Sequence, residues 1–188
     1  MSSKRTLIGS SIIPIRFVFF MWLVFVLTSV YQVDFGGLGI VPRTIPGLIG
    51  IFTAPLVHAG PIHLISNTIP LLFLGITLFY NYKGIAKRVF YGCYLFTNTL
   101  VWLFARPSSH IGASGLIYAL ATFVICFGLF RRDIRSLIIS AIVILMYGSI
   151  YYGILPQDPR ISWESHLFGA VVGLILAWVF YDRKRIYK

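Results

Sequence analysis

Three short segments hold the residues best suited to chemistry: Gly112-Ala113-Ser114-Gly115, His63-Leu64-Ile65-Ser66-Asn67 and Trp163-Glu164-Ser165-His166. Each stands at the start of a long apolar stretch. A serine hydroxyl is a weak nucleophile until an adjacent base removes its proton. Histidine near its ordinary pKa suits that task and can later protonate the leaving group. The oxyanion formed on attack needs donors. The Ser114 backbone N–H is unpaired at a helix start and favoured by the helix dipole. The Asn67 amide and the His63 ring lie one turn apart and can face the same oxygen. Acyl transfer by a Ser114–His166 pair is the implied chemistry, provided that the three segments meet.

Whether they meet depends on the elements that carry them. The chain has 188 residues, of which 58% are hydrophobic and 11% charged, too apolar for a soluble domain. A helical span needs about 20 apolar residues to cross a bilayer. Six stretches qualify, at roughly 12–33, 61–81, 86–105, 112–130, 135–154 and 163–181, and they use most of the chain. The expected fold is all-α: one polytopic six-helix membrane domain over 1–188. The first stretch is long, has no small-residue cleavage site after it, and is expected to be retained.

The net charge of +11 has a pattern. Lys4, Arg5 and Arg16; Lys83, Lys87 and Arg88; Arg131, Arg132 and Arg135; and Arg183, Lys184, Arg185 and Lys188 occupy alternate connections. The other connections hold only Arg43, Arg106 and Arg160. This bias predicts cytoplasmic N- and C-termini and makes nucleic-acid binding an unnecessary explanation for the charge. The second, fourth and sixth spans then all start at the outer surface. At about 1.5 Å rise per residue, His63, Asn67, Ser114 and His166 lie at comparable shallow depths. Polar side chains inside a membrane are costly and mark function. Gly-Ala-Ser-Gly alone would suit close helix packing, but packing does not explain three polar groups at one depth on alternate spans.

His166, Gly169, Ala170 and Gly173 share one face of the sixth span. Gly169 and Gly173 form a small-xxx-small pair, as do Gly115 and Ala119 on the fourth. Close approach there would bring His166 to Ser114. Tyr118, one turn below Ser114, could stack on the imidazole. An acidic partner for His166 is not apparent. Asp133 and Asp182 fall on the cytoplasmic side, Asp34 and Asp158 in outer connections, and Glu164 is two residues from His166 and so points away from it. A dyad is the simpler expectation. A His-Glu-x-x-His zinc site is excluded because Ala, Leu, Ile and Leu follow the four histidines. An aspartyl dyad lacks acids in mid-span. Cys93 and Cys126 read as inert residues within spans.

These residues resemble the rhomboid family of intramembrane serine proteases. The likeness rests on His63-x-x-x-Asn67, Gly112-x-Ser114-Gly115, and His166 followed by Gly169 and Gly173; His58 also fits the pattern. It implies Ser114 as nucleophile, His166 as general base, and Asn67 and His63 as helpers at the oxyanion, with Tyr118 packed on His166. It implies cleavage of single-span membrane proteins near their outer end, without metal, cofactor or ATP, with substrate entering between the second and fifth spans. It also implies the minimal six-helix form. The expected location is a prokaryotic inner membrane, with the site toward its outer face. One departure is the first outer loop, roughly 34–60. It has Pro42-Arg43 and no Trp, although the family commonly carries a Trp-Arg pair there. Its apolar stretch Ile45 to Pro55 could dip into the outer leaflet.

Two other classes compete. A non-proteolytic relative that binds transmembrane clients would be expected to have lost the serine or the histidine, and this chain keeps both. A small transporter would show internal repeats and polar residues at the midplane, and neither is present. Hydrolysis needs water, and Ser108, Ser109 and His110 above Ser114 are candidates to line an outward-open cavity. His110 and His58 are otherwise expected to be mainly structural.

Overall fold

Thr6 opens the first helix: its hydroxyl oxygen accepts from the Gly9 N–H at 3.1 Å, the capping arrangement that satisfies an unpaired helix-start donor. The computed structural model describes residues 6–156, 158 and 161–181. Lys4, Arg5, Arg160, Asp182, Arg183, Lys184, Arg185 and Lys188, on which part of the charge argument rests, lie outside the described residues. Seven α-helices occur among them: α1 (Leu7–Ser29), α2 (Gly47–Thr53), α3 (Pro61–Asn81), α4 (Lys83–Phe104), α5 (Ser114–Arg131), α6 (Ile134–Tyr147) and α7 (Trp163–Phe180). No strand is present among the described residues; Ile40 and His110 form an isolated antiparallel bridge.

The expected helix bounds need four corrections. The Thr6 cap starts α1 five residues before position 12, and α1 ends at Ser29, short of 33. The third span begins at Lys83. The first outer loop contains α2, a short helix the hydropathy pattern did not separate. The fifth span is α-helical only to Tyr147 and continues as 3-10 turns over Gly148–Ile154. Two glycines in that segment weaken the helix, and the Tyr151 hydroxyl, 3.0 Å from Thr122 Oγ1 on α5, draws it inward.

Among the described residues, four helices, α1, α3, α5 and α7, are long and apolar enough to cross a membrane. α4 is as long, at 22 residues, but carries Lys83, Lys87 and Arg88 in its first turns and Thr97, Asn98 and Thr99 further on. α6 has 14 residues, about 21 Å at the usual rise.

α5 is the axis of the bundle. Its side chains are buried on nearly every face, as befits a helix that is apolar all round. It packs on α7 and α6, and also on α3 and α4; α1 rides on α3, and α2 on α4. Glycines set the closest crossing. A Cβ on Gly169 would strike the Gly115 carbonyl oxygen and lie 3.1 Å from its carbon, and a Cβ on Gly173 would strike the Ala119 carbonyl oxygen. α5 and α7 are therefore in backbone contact at the end where both begin.

The first loop is tied to α4 and to the start of α5. The Arg43 N–H donates to the Trp102 carbonyl at 3.0 Å. Its guanidinium donates to the carbonyls of Leu103 and Ala105. The loop has no tryptophan of its own; Trp102 of α4 supplies an indole N–H to Thr44 O at 3.0 Å. Just after α2, the Ala54 carbonyl accepts from the Gly112 N–H at 2.9 Å, two residues before Ser114. The loop's apolar stretch forms α2 and the turn after it, with Leu48, Ile49 and Phe52 exposed and Gly50 and Ile51 buried.

Candidate active site

Ser114 is the first residue of α5, and His166 lies in the first turn of α7. The glycine contacts bring the two starts together. His166 Nε2 lies 2.8 Å from Ser114 Oγ, although the residues are 52 apart in sequence. The other ring nitrogen, Nδ1, is 2.9 Å from the Gly153 carbonyl. A carbonyl only accepts, so Nδ1 carries the proton. Nε2 is left unprotonated, facing the serine O–H. The Tyr118 ring lies flat on the imidazole, with centroids 4.1 Å apart and planes within 3°. Orientation is thus set from one edge by a backbone carbonyl and from one face by a phenol.

Sequence reasoning missed Gly153. It sits in the 3-10 segment after α6, and only glycine fits there: a Cβ would strike the Tyr118 hydroxyl and stand 3.1 Å from His166 Nδ1. No polar side chain marks the position. Its one signal is a glycine in an otherwise helical apolar run.

Gly112 occupies the left-handed region, φ +101°, a conformation side chains rarely adopt. The His63 ring lies over it; a Cβ there would be 2.7 Å from both Cε1 and Nε2 of that ring, and 3.8 Å from Asn67 Nδ2. Asn67 is buried, and its amide donates one hydrogen to the His63 carbonyl at 3.0 Å, leaving its other N–H available. His63, Asn67, Ser114, Tyr118 and His166 all line one cavity of about 660 Å³, with Ser108, Ser109 and His110 along its wall. The cavity joins the starts of α3, α5 and α7 at one end of the bundle.

His58 stands behind His63, ring centroids 4.9 Å apart and edge to face. Burial, and then the neighbouring His63, push its pKa down to about 4, so it is neutral and donates from Nδ1 to the Leu56 carbonyl at 3.3 Å. His110 is structural too. Its Nε2–H donates to the Arg106 carbonyl at 3.0 Å, and its Nδ1 accepts from Ser162 Oγ at 2.5 Å. Burial keeps its pKa below the ordinary histidine value. Glu164 turns away from His166 toward Arg106, 3.4 Å from its Nε.

Residues 46–183 match the rhomboid domain family. The chain belongs to the rhomboid family. An uncharacterised protein of Mycobacterium tuberculosis is 38% identical over 152 residues, covering 75% of this chain and 62% of that protein. One from Mycobacterium leprae is 36% identical over 141 residues, covering 69% of this chain and 55% of its own length. RHOMBOID-like protein 1 of Arabidopsis thaliana is 28% identical over 137 residues, covering 71% of this chain and 34% of its own. The chain thus spans about three fifths of the mycobacterial relatives' length or less, and about a third of the plant protein. Membership in the rhomboid family makes this an integral membrane protein of polytopic fold and supports, at family level, a function of the intramembrane protease kind.

Proposed function

We propose that this rhomboid is an intramembrane serine endopeptidase with Ser114 as nucleophile and His166 as general base. The observation that carries the reading is the hydrogen-bonded chain Ser114 Oγ, His166 Nε2, His166 Nδ1, Gly153 O, with steps of 2.8 and 2.9 Å. Ser114 Oγ attacks the scissile carbonyl carbon as its proton passes to Nε2. The oxyanion is met by the Ser114 N–H at the start of α5, by the free N–H of Asn67 and by His63. Collapse breaks the C–N bond, and the Nε2 proton goes to the departing amine. A water in the cavity then gives its proton to Nε2 and attacks the acyl-serine, releasing the second product and restoring the hydroxyl.

The substrates are transmembrane segments, and the cut falls near the end of the bundle that holds the cavity. Charge favours that end as the outer face: Lys83, Lys87, Arg88, Arg131, Arg132 and Arg135 lie at or within two turns of the α3–α4 and α5–α6 connections, at the opposite end. Substrate enters between α3 and α6. α6 is covered by α5 on one side and keeps Ile138, Ile142 and Leu145 exposed on another.

The test uses Ser114→Ala and a reporter with a helix-destabilised transmembrane segment. Cleavage by the parent and none by the variant, with equal membrane insertion, is expected. A fluorophosphonate should label the parent alone. Full cleavage by Ser114→Ala overturns the proposal; client binding without cleavage by the purified parent would instead favour a non-proteolytic relative.

A further inference from the structure

Between α4 and α7 runs a second polar network, separate from the chain that joins Ser114, His166 and Gly153. Arg106 follows the last residues of α4, and Glu164 lies in the first turn of α7 with its carboxylate almost wholly buried. Arg106 Nε and Glu164 Oε1 are 3.4 Å apart, and the Arg106 backbone N–H points to the same oxygen at 3.4 Å. Arg106 Nη2 donates to the Ile161 carbonyl at 2.7 Å. Four residues on, His110 Nδ1 accepts a hydrogen bond from the Ser162 hydroxyl, and Ser162 Oγ lies 2.5 Å from Ser165 Oγ. His110 Nε2 returns to the Arg106 carbonyl, closing a ring that grips residues 161–165 at three points.

The segment that grips is the one that ends at the nucleophile: 106–110 leads through Gly112 to Ser114. The segment gripped is the one that begins the helix of His166. A single clasp therefore spans the two halves of the dyad at their entry points. The glycine contacts at Gly169 and Gly173 fix how closely α5 and α7 pack. They do not fix how far α7 slides along α5 or turns about its own axis, since small faces permit both. A polar clasp two to four residues before His166 and four to eight before Ser114 removes that freedom. A buried carboxylate is costly unless it is paired, and a buried pair of this kind can specify geometry rather than add stability.

We propose that the Arg106–Glu164 pair, with His110–Ser162 beside it, is a positioning clasp that sets the register of His166 against Ser114. This rests on the proposed Ser114–His166 chemistry. Arg106, His110 and Ser162 also line the wall of the cavity; the clasp acts through the start of α7.

The experiment measures Ser114 acylation by a fluorophosphonate, and kcat and KM for reporter cleavage, in the full chain in detergent or liposomes. The variants are Glu164→Gln, Arg106→Gln, the reciprocal swap Arg106→Glu with Glu164→Arg, and Ser162→Ala. Displacing a reacting group by about 1 Å can cost about 100-fold. The acylation rate and kcat should fall by between about 10- and 100-fold in Glu164→Gln and Arg106→Gln, with KM within about twofold. Ser162→Ala should fall less, and the swap should recover most of the loss. Parent-like acylation in Glu164→Gln and Arg106→Gln overturns the clasp, as does a loss that tracks thermal stability and is not rescued by the swap. Failure of the parent itself to be labelled overturns the dyad instead, so the two ideas fail separately.

Discussion

Gly169→Ala is a sharp perturbation of the α5–α7 contact, because the added carbon meets backbone that cannot swing away. It would strike the Gly115 carbonyl oxygen and lie 3.1 Å from its carbon and 3.2 Å from Ala119 N. Carbon contacts relax at about 3.5 to 4.0 Å, so the helices must part by at least about half an ångström there, and by more at the oxygen. His166 is one turn earlier on α7, and Gly115 adjoins Ser114, so the displacement falls almost wholly on the dyad. A hydrogen bond of 2.8 Å would open past the roughly 3.2 Å limit of useful geometry. On the proposed mechanism, general-base assistance is worth about 100- to 10,000-fold, and a partial loss of about 100-fold in kcat/KM, or about 2.7 kcal/mol of barrier, is expected. The assay is fluorophosphonate acylation followed in time, with Gly92→Ala as control. There the added carbon meets only the tip of Leu176, 3.2 Å from Cδ1, a flexible end that can yield. Helix propensity favours alanine by up to about 1 kcal/mol. Parent-like acylation in both variants would refute the reasoning that backbone contact between α5 and α7 sets the dyad distance. Equal loss in both would show that the effect is not local.

On the proposed mechanism, Asn67→Ala removes one oxyanion donor and should lower kcat by about 100- to 1,000-fold with KM little changed, measured by reporter cleavage at saturating substrate. His58 gives a pH prediction. Its folded pKa is near 4 against an ordinary 6.5, so the unfolded chain takes up a proton that the folded one refuses. Stability is therefore fully present above about 6.5 and lost as pH falls toward about 4. Thermal melts across that window should show the loss, with a shallower slope in His58→Gln; an unchanged slope would assign the acid sensitivity to other groups.

Much of this arrangement is legible in the sequence because it follows from period and end. Polar residues at the first turns of apolar helices, and small residues at i and i+4, require no knowledge of long-range contacts. Hence the meeting of Ser114, His166, His63, Asn67 and Tyr118 at one cavity, and the glycine crossing of α5 and α7, could be anticipated. What escaped has the opposite character. Gly153 contributes a carbonyl, which every residue has, so its only mark is a glycine in an apolar run, and that does not announce the bond to His166. Trp102 and Arg43 act across 58 to 62 residues of chain, and no local pattern pairs them. The 3-10 segment after Tyr147 looks like helix by hydropathy, and only the Tyr151–Thr122 contact shows why it bends inward.

The missing acid of the dyad takes on a physical meaning once Gly153 is placed. On the proposed mechanism, a carboxylate beside His166 would do two things: hold the tautomer and stabilise the imidazolium that would form as Ser114 gives up its proton. The Gly153 carbonyl does the first fully, since it accepts from Nδ1 alone. It does the second only as a dipole. In exchange, no ion has to be buried next to a cavity set among apolar helices, where an unpaired charge costs several kcal/mol. Tyr118 offsets part of the deficit, because its ring face, stacked at 4.1 Å, attracts a cation. On the proposed mechanism, replacing Tyr118 with Leu should therefore slow acylation more than replacing it with Phe, which keeps the ring. If Phe and Leu prove equal, the ring contributes only bulk, and stabilisation of the imidazolium must come from elsewhere in the cavity.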